Sequence, residues 1–560
     1  MTKKHHYGME IDEQLILELF PFDKPRDIQL EAIKKSLHEF NEGVEHVILD
    51  GPTGAGKSAI AYTIARYIQH TTYGEEKSLF TTITKYLQDQ YIRDFPDLHS
   101  IRGAADPIYT CDDLHNRNTE GCVLHVKATA KKCMGECPYR RAQQKFMKGP
   151  LSLTNTHFVA RIPRSWHFLV LDECHEVGSV ITSAAETPIF HEDEVKFNLL
   201  FGPGSSQLVE IWRGVREHLS QYEHGEVFEM PVFDGLHEFD LEKAKKEVEG
   251  MAGQTGYRSL AGHLAGLTSA MSACWIMEGK EAIAHRDPKE MEKDPKLKPM
   301  IKPVYAADFA DKLIFSKGEK ILHMSATVCG DDAYSRELGF NDHNWASVSV
   351  RHPIPADTRK VYFNPLGWMS AKTEEKDFHN TAKFVDALDE KYDANMMIHT
   401  ASYKRANRIN DLSYAHIDLP KSAKEAIQIL QDGANSKKKK IVASPSIMAG
   451  VDGKDDLCRI NVIAKLPFPS FGDPRVRYIS QKRPYLITQQ VVRHVVQAAG
   501  RGTRHENDFS YTFILDGMFD KLYNDNKQMF PEWFKESIQW RYNGVLQNLP
   551  EGLELNRKEN

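Results

Sequence analysis

The 560 residues include only eight cysteines, too few to build a chain of this length on a disulfide framework. No run of about eighteen apolar residues exists to cross a bilayer, and the stretch from Met1 to Gly8 lacks the apolar core of a secretion signal. A protein of the cell interior is therefore expected, in the cytoplasm or, in a cell that has one, the nucleus. Strong charge of one sign is also missing. The formal net charge of -6 excludes a body coated in basic surface but allows a locally positive groove. No internal repeat is found. The length requires several domains, each with room for its own core.

What is present is an alternation of short apolar runs with longer amphipathic stretches, the pattern of parallel sheets with crossover helices. Candidate strands are Val47–Leu49, Leu79–Ile83, Leu151–Leu153, Phe168–Leu171, Ile321–Met324, Met396–His399, Ile441–Ala443, Asn461–Ala464 and Tyr511–Leu515. In open α/β sheets ligands bind beyond the carboxyl ends of strands, and several of these runs end at chemically suggestive residues. Two regions break the alternation. Residues 101–150 hold a cysteine cluster among lysines and arginines. The second, about Ala185 to Tyr305, is polar, reads as helical, and ends in a Pro- and Lys-rich stretch, Asp287 to Pro303, expected to be a solvated connector.

Gly51-Pro52-Thr53-Gly54-Ala55-Gly56-Lys57-Ser58 follows an apolar run and precedes a good helix, the context that a phosphate-binding Walker A loop requires. Its glycines let backbone N–H groups curl around phosphates, Lys57 reaches the β and γ oxygens, and the Ser58 hydroxyl is placed for Mg2+. Asp172-Glu173-Cys174-His175 follows Phe168–Leu171 as a Walker B box should, with Asp172 assigned to Mg2+ and Glu173 to the attacking water. ATP with Mg2+ is thus the expected nucleotide. Farther on, Gln497-Ala498-Ala499-Gly500-Arg501-Gly502-Thr503-Arg504 sets two arginines three apart. On a helix that spacing puts both on one face, where they can reach one anion.

Cys111, Cys122, Cys133 and Cys137 are separated by ten, ten and three residues. Four thiolates satisfy either Zn2+ or a 4Fe-4S cluster, and spacing alone leaves both open. The segment has little apolar surface, so a metal centre can substitute for a missing core. Arg102, Lys131, Lys132, Arg140 and Arg141 surround the ligands, and Tyr109 and Tyr139 flank them. Charge that follows a backbone and rings that stack on bases together suit single-stranded nucleic acid.

Taken in order, these motifs resemble the superfamily 2 iron-sulfur DNA helicases of the XPD/DinG type. Arg26 and Gln29 are similar to the adenine-reading motif ahead of Walker A. The run from Thr82 to Gln90, with Thr84 and Gln88, resembles motif Ia on the DNA-binding face, and Thr154-Asn155-Thr156-His157 follows the cysteines. Ser325-Ala326-Thr327 resembles motif III, His399 to Tyr403 motif IV, Gly450-Val451-Asp452 motif V, and Gln497 to Arg504 motif VI. Two departures stand out: Cys174 occupies a position usually held by alanine, and Ala449 one often held by glutamate.

The resemblance implies two RecA-like parallel-sheet motor domains, the first carrying an iron-sulfur insertion and a mainly helical arch-like insertion. The expected division is motor domain 1 over 1–100, 151–184 and 306–345, the iron-sulfur module over 101–150, the arch over 185–305, and motor domain 2 over 346–560. Position between motif Ia and Walker B favours the 4Fe-4S cluster over zinc, and Cys174 is left out of the ligand set. The resemblance further implies an ATP-dependent helicase, a monomer moving 5'-to-3' on single-stranded and forked DNA. In it Asn155 and His157 touch the strand, Asp452 contacts the nucleotide, and His175, Ser325, Thr327 and Gln497 couple nucleotide state to DNA grip. No exonuclease segment is recognised, so strand cleavage is not expected. Two other readings stay open: a translocase that does not separate strands, and a redox-sensing nucleic-acid-binding protein for which ATP is a switch.

Overall fold

The structure is a computed structural model that describes residues 11–111, 119–120, 137–160, 162, 164–188, 221–222, 225–229, 274–278, 300–369, 375–448, 453, 455–503 and 508–540. Seven strands make a first, wholly parallel sheet: β1 (His46–Asp50), β2 (Ser78–Thr82), β3 (His99–Ser100), β4 (Leu151–Asn155), β5 (Trp166–Asp172), β6 (Gly318–Ser325) and β7 (Trp345–Ser349), in the order β7-β1-β6-β5-β2-β4-β3. The central strands carry unbroken apolar runs because helices cover both faces of a parallel sheet. Phe168, Leu169, Val170 and Leu171 are all fully buried.

A second parallel sheet of seven strands follows: β8 (Val361–Gly367), β9 (Met396–His399), β10 (Ile417–Asp418), β11 (Ile441–Ser444), β12 (Ile460–Ile463), β13 (Tyr511–Asp516) and β14 (Ile538–Trp540), in the order β10-β11-β9-β12-β13-β8-β14. Two such sheets, each with crossover helices, are the two RecA-like units expected. Strand β7 belongs to the first of them, so the division falls after Ser349 rather than at 346.

The described part of the second insertion is a four-stranded antiparallel sheet, ordered Thr187–Pro188, Met300–Pro303, Cys274–Glu278, Val227–Glu229. Its expected helices lie outside the described residues. The end of the expected solvated connector is in fact packed: Ile301 is fully buried within Met300–Pro303. One apolar residue that alternates with Lys302 suffices for a strand when a partner strand waits beside it.

Register brings the chemistry together. Asp50 pairs with Ser325, and Met324 pairs with Asp172, so the carboxyl ends of β1, β6 and β5 lie side by side. On the other flank Thr82 pairs with Asn155, which puts the two segments expected to touch nucleic acid next to each other.

Candidate nucleotide site and interdomain coupling

The loop after β1 turns through Gly54 and Gly56, with φ of 81° and 78°, a region that side-chain-bearing residues avoid. Close approach adds a second constraint, since a Cβ on Gly56 would lie 2.1 Å from the Gln29 amide nitrogen. Gln29 donates to the Ala55 carbonyl at 3.2 Å, and Arg26 donates to the Gly54 carbonyl at 2.8 Å. The pair expected to read adenine therefore also holds the loop in shape. Lys57 opens the helix Lys57–Thr71 and donates to the Gly51 and Pro52 carbonyls at 2.8 and 3.2 Å.

Asp172 ends β5 and is only 6% exposed. Burial, with the neighbouring Glu173 charge, raises its pKa to about 7. Its Oδ2 accepts a hydrogen bond from the Tyr91 hydroxyl at 3.1 Å, and the Ser58 hydroxyl also bonds that tyrosine. A serine hydroxyl and a carboxylate, both hard oxygen donors, fit Mg2+. Glu173 stands in left-handed backbone with φ of 51°, a costly conformation for a non-glycine residue and one that turns its side chain off the strand direction.

From Glu173 a chain of polar contacts leads into the second motor unit. Gln497 Nε2 lies 2.8 Å from His175 Nε2, and His175 Nδ1 lies 2.8 Å from Ser325 Oγ. An amide NH2 can only donate, so His175 accepts at Nε2 and carries its proton on Nδ1. Ser325 Oγ is thus an acceptor from His175 and from the Thr327 amide at 3.0 Å, and donates to Glu173 Oε2 at 3.5 Å. Burial depresses the His175 pKa, which keeps the imidazole neutral and the direction of the chain fixed. All four residues expected to couple the units, His175, Ser325, Thr327 and Gln497, fall within this network; Gln497 also donates to Thr327 Oγ1 at 3.3 Å.

The helix Pro484–Ala499 contributes more than its expected last glutamine. Gln489 donates to the Val328, Cys329 and Gly330 carbonyls, and Arg493 donates to the Val328 carbonyl and pairs with Glu337 at 2.7 Å. Gln489, Arg493 and Gln497 recur every four residues among valines, a polar stripe along one helical face. That signal is present in the sequence, though only Gln497 was assigned from it. Asp50 was also missed: it is half-buried near Lys57, and its buried Oδ1 lacks a hydrogen-bond partner.

Other expectations need correction. The helix ends at Ala499, Arg501 lies in the 3-10 turn Gly500–Gly502, and Thr503 is extended. The one-helical-turn argument for Arg501 and Arg504 therefore fails. Arg501 is buried, whereas Arg504 and Asp452 lie outside the described residues. Gln88 is fully buried and donates to Ser100 Oγ at 2.6 Å and to the Ile101 carbonyl at 2.9 Å, so it braces the loop after β3 instead of facing a ligand. Arg102 is spent on Asp89 and Asp106. Tyr139 is 7% exposed and packs edge-on against Tyr109, whose hydroxyl accepts from the Arg102 amide at 3.0 Å. Both rings are thus engaged in packing, because the short segment has few other apolar groups.

Thr84 and His157 are exposed, as is Arg140. Thr84 caps the helix Lys85–Asp94, and Asn155 both caps the turn Thr156–Val159 and donates to the Ile83 carbonyl at 2.6 Å. Tyr86, 75% exposed beside Thr84, is a further surface ring on this edge. Thr53 sits half-exposed in the phosphate loop. Cys111 and Cys137 are half-buried, and Cys137 packs against the same apolar cluster as Tyr109. Cys122 and Cys133 lie outside the described residues. Cys174 is buried with its thiol pushed up, in keeping with its exclusion from the ligand set.

Comparison with known proteins matches residues 386–537 to the helicase C-terminal domain family and residues 22–199 to the family described as type III restriction enzyme, res subunit. A solved structure described as XPD helicase is 15% identical, with a TM-score of 0.58 over 93% of this chain and 100% of that one. The structure of S. tokodaii Xpd4 is 13% identical, with a TM-score of 0.52 over 92% and 100%. The family matches, together with a fold shared with the XPD structures, support a helicase-type, ATP-driven enzyme of nucleic acid. No curated protein is similar enough in sequence to count as a relative. Among the described residues no helix is long and apolar enough to cross a membrane.

Proposed function

We propose that this enzyme is an ATP-dependent DNA helicase that moves along single-stranded DNA, 5'-to-3' by resemblance, and separates duplex at a fork. The observation that carries the reading is the chain Gln497–His175–Ser325–Glu173. It ties the second motor unit to the carboxylate that would orient water, so a change in the cleft between the units is felt at the bond to be broken. A nucleotide switch with no work to deliver has no need of that connection.

In the proposed cycle Lys57 leaves its own loop carbonyls for the β and γ phosphates, and the backbone N–H groups of the loop hold the rest of the chain of phosphates. Ser58 and Asp172 would hold Mg2+, which screens the developing charge when bound. Glu173 would orient the water, and Arg501 of the second unit would sense the γ-phosphate. Closure is registered through Gln497 and Arg493. Thr84, His157 and Tyr86 would line the strand on the first unit, joined by Arg140 from the cysteine module.

Cys111, Cys122, Cys133 and Cys137 would hold a 4Fe-4S cluster. The two described thiols fit, both being half-buried and outside any disulfide, with Cys137 packed against an apolar cluster. The cluster would act as a staple that lets a charged segment keep its shape. The domain division stands as proposed above, with motor domain 2 starting after Ser349, and the enzyme would work as a monomer.

The test is a pair of assays on the full chain: ATP hydrolysis with and without single-stranded DNA, then displacement of a labelled strand from forks with a 5' or a 3' tail. DNA-stimulated hydrolysis with unwinding of the 5'-tailed fork is expected. Stimulated hydrolysis without displacement would make the protein a translocase instead.

A further inference from the structure

At the amino end of β1, on the opposite side of the sheet from the phosphate loop, Glu45, His46 and His343 bring one potential ligand atom each to within 4.8 Å of one another. His343 Nδ1 lies 3.8 Å from Glu45 Oε2. The two chain segments are already fastened by backbone: the Glu45 and His46 amides both donate to the Asn344 carbonyl, at 3.0 and 3.3 Å. Nothing in the nucleotide chemistry uses this cluster.

The buried side of the cluster fixes which nitrogen of His46 is available. Behind it runs a file of polar groups: His46 Nδ1 to His323 Nε2 at 3.0 Å, His323 Nδ1 to the Tyr334 hydroxyl at 3.0 Å, and that hydroxyl to the Cys174 carbonyl at 3.2 Å. A carbonyl can only accept, so Tyr334 donates to it and accepts from His323 Nδ1–H. His323 is fully buried, where a charged imidazole is disfavoured, so its Nε2 is an acceptor and His46 donates to it from Nδ1. The His46 lone pair is therefore on Nε2. The ring is clamped by stacking on Phe340 at 4.6 Å and by the edge of Phe315 at 4.9 Å.

A histidine whose second nitrogen donates to a fixed acceptor, with its tautomer and ring plane both set, is the arrangement that metal-binding imidazoles share. The geometry points to a divalent transition-metal site, of the zinc class, formed by Glu45, His46 and His343 with water completing the shell. Two imidazoles and one carboxylate suit Zn2+ at bond lengths of about 2.0–2.2 Å. His46 is the rigid member. Glu45 and His343 are exposed at their tips, and rotation of these side chains closes the remaining gap. The ion would staple β1 to the loop ahead of β7, and the polar file would carry the strain of that edge to the carbonyl beside Glu173.

The test is equilibrium dialysis of the full chain against buffered free Zn2+, with metal counted by elemental analysis, alongside the thermal midpoint with and without Zn2+. Cys133→Ser is run in parallel, so that metal held by the cysteines is scored separately. His343→Ala and Glu45→Gln, both at exposed positions, should each bind one equivalent fewer than the unmodified chain and lose the Zn2+-dependent rise in midpoint. The Cys133→Ser chain should keep both. Equal zinc content in the unmodified chain and the two variants, with all three folded by circular dichroism, would overturn the site.

Discussion

The Tyr91 hydroxyl donates to Asp172 Oδ2 at 3.1 Å. Tyr91 lies in the last turn of the helix Lys85–Asp94, whose first turn is capped by Thr84. One helix about three turns long thus has a proposed strand contact at one end and a proposed ligand of the nucleotide's metal at the other. A displacement of Thr84 by DNA would be passed along this helix toward Asp172.

Removal of that hydroxyl should loosen the metal ligand without emptying the site. Outer-shell partners of metal ligands typically contribute about tenfold or more in metal affinity or activity. Tyr91→Phe keeps the buried ring, so the fold should persist. The Mg2+ concentration for half-maximal hydrolysis should rise about tenfold, while nucleotide affinity measured without Mg2+ stays level. An unchanged Mg2+ titration would reduce Tyr91 to a packing residue.

Gln497→Ala cuts the interdomain chain at its first link and leaves the His175 Nε2 acceptor unmatched. Basal hydrolysis should survive, because Lys57, Asp172 and Glu173 remain. The factor by which DNA raises turnover should fall about tenfold, a size that corresponds to about 1.4 kcal/mol of lost coupling. Steady-state hydrolysis across a DNA titration gives both quantities. A proportional loss in basal and stimulated rates would mean that Gln497 supports the site but does not transmit.

The phosphate-loop and acidic-box motifs were legible because their chemistry demands residue types at fixed spacing in a strand–loop–helix context, and the fold brings Ser58 and Asp172 to one tyrosine, Tyr91. What was not legible has a common cause. Gln88, Arg102 and Tyr139 have the chemistry of nucleic-acid ligands, but in a segment poor in apolar groups they are drawn into bracing neighbouring loops. Sequence reports a side chain's capability and not which of its neighbours claims it first. Arg493 and Glu337 illustrate the converse. Each is an ordinary charge on an amphipathic helix until the second unit docks and buries the pair.

That pair offers a direct measure of docking. The Arg493 and Glu337 side chains are 9% and 20% exposed, so removal of one partner leaves a charge in a poorly solvated place. Arg493→Ala and Glu337→Ala should each lower the thermal midpoint, whereas the double substitution should cost less than the sum. A double-mutant cycle is expected to return about 1–3 kcal/mol of interaction. A value near zero would mean that this pair adds nothing to the docking of the two units.

The metal of the cysteine module is read by colour. Anaerobically purified protein should be brown, and Cys133→Ser should lose the absorption together with unwinding while part of the hydrolysis persists in the motor core. A colourless preparation with four thiolates' worth of bound zinc would decide for the other metal that spacing allows.

Asp50 gives a stability prediction of definite sign. Burial, with Asp331 nearby, raises its pKa from 3.8 to about 8, against the opposing pull of Lys57. The folded chain therefore holds a proton there that the unfolded chain releases above about pH 4. Wherever the folded state binds more protons, stability falls as pH rises, so between about pH 4 and pH 8 this group should erode stability progressively and then level off. Asp172, raised to about 7, contributes a slope of the same sign. Asp50→Asn keeps the shape and removes the titration. In chemical denaturation across that range, the variant should lose less stability with rising pH and exceed the unmodified chain by more at pH 8 than at pH 5. Parallel curves for the two proteins would mean that Asp50 is solvated and charged throughout, and that the carboxyl behind the phosphate loop has no part in the acid side of its stability profile.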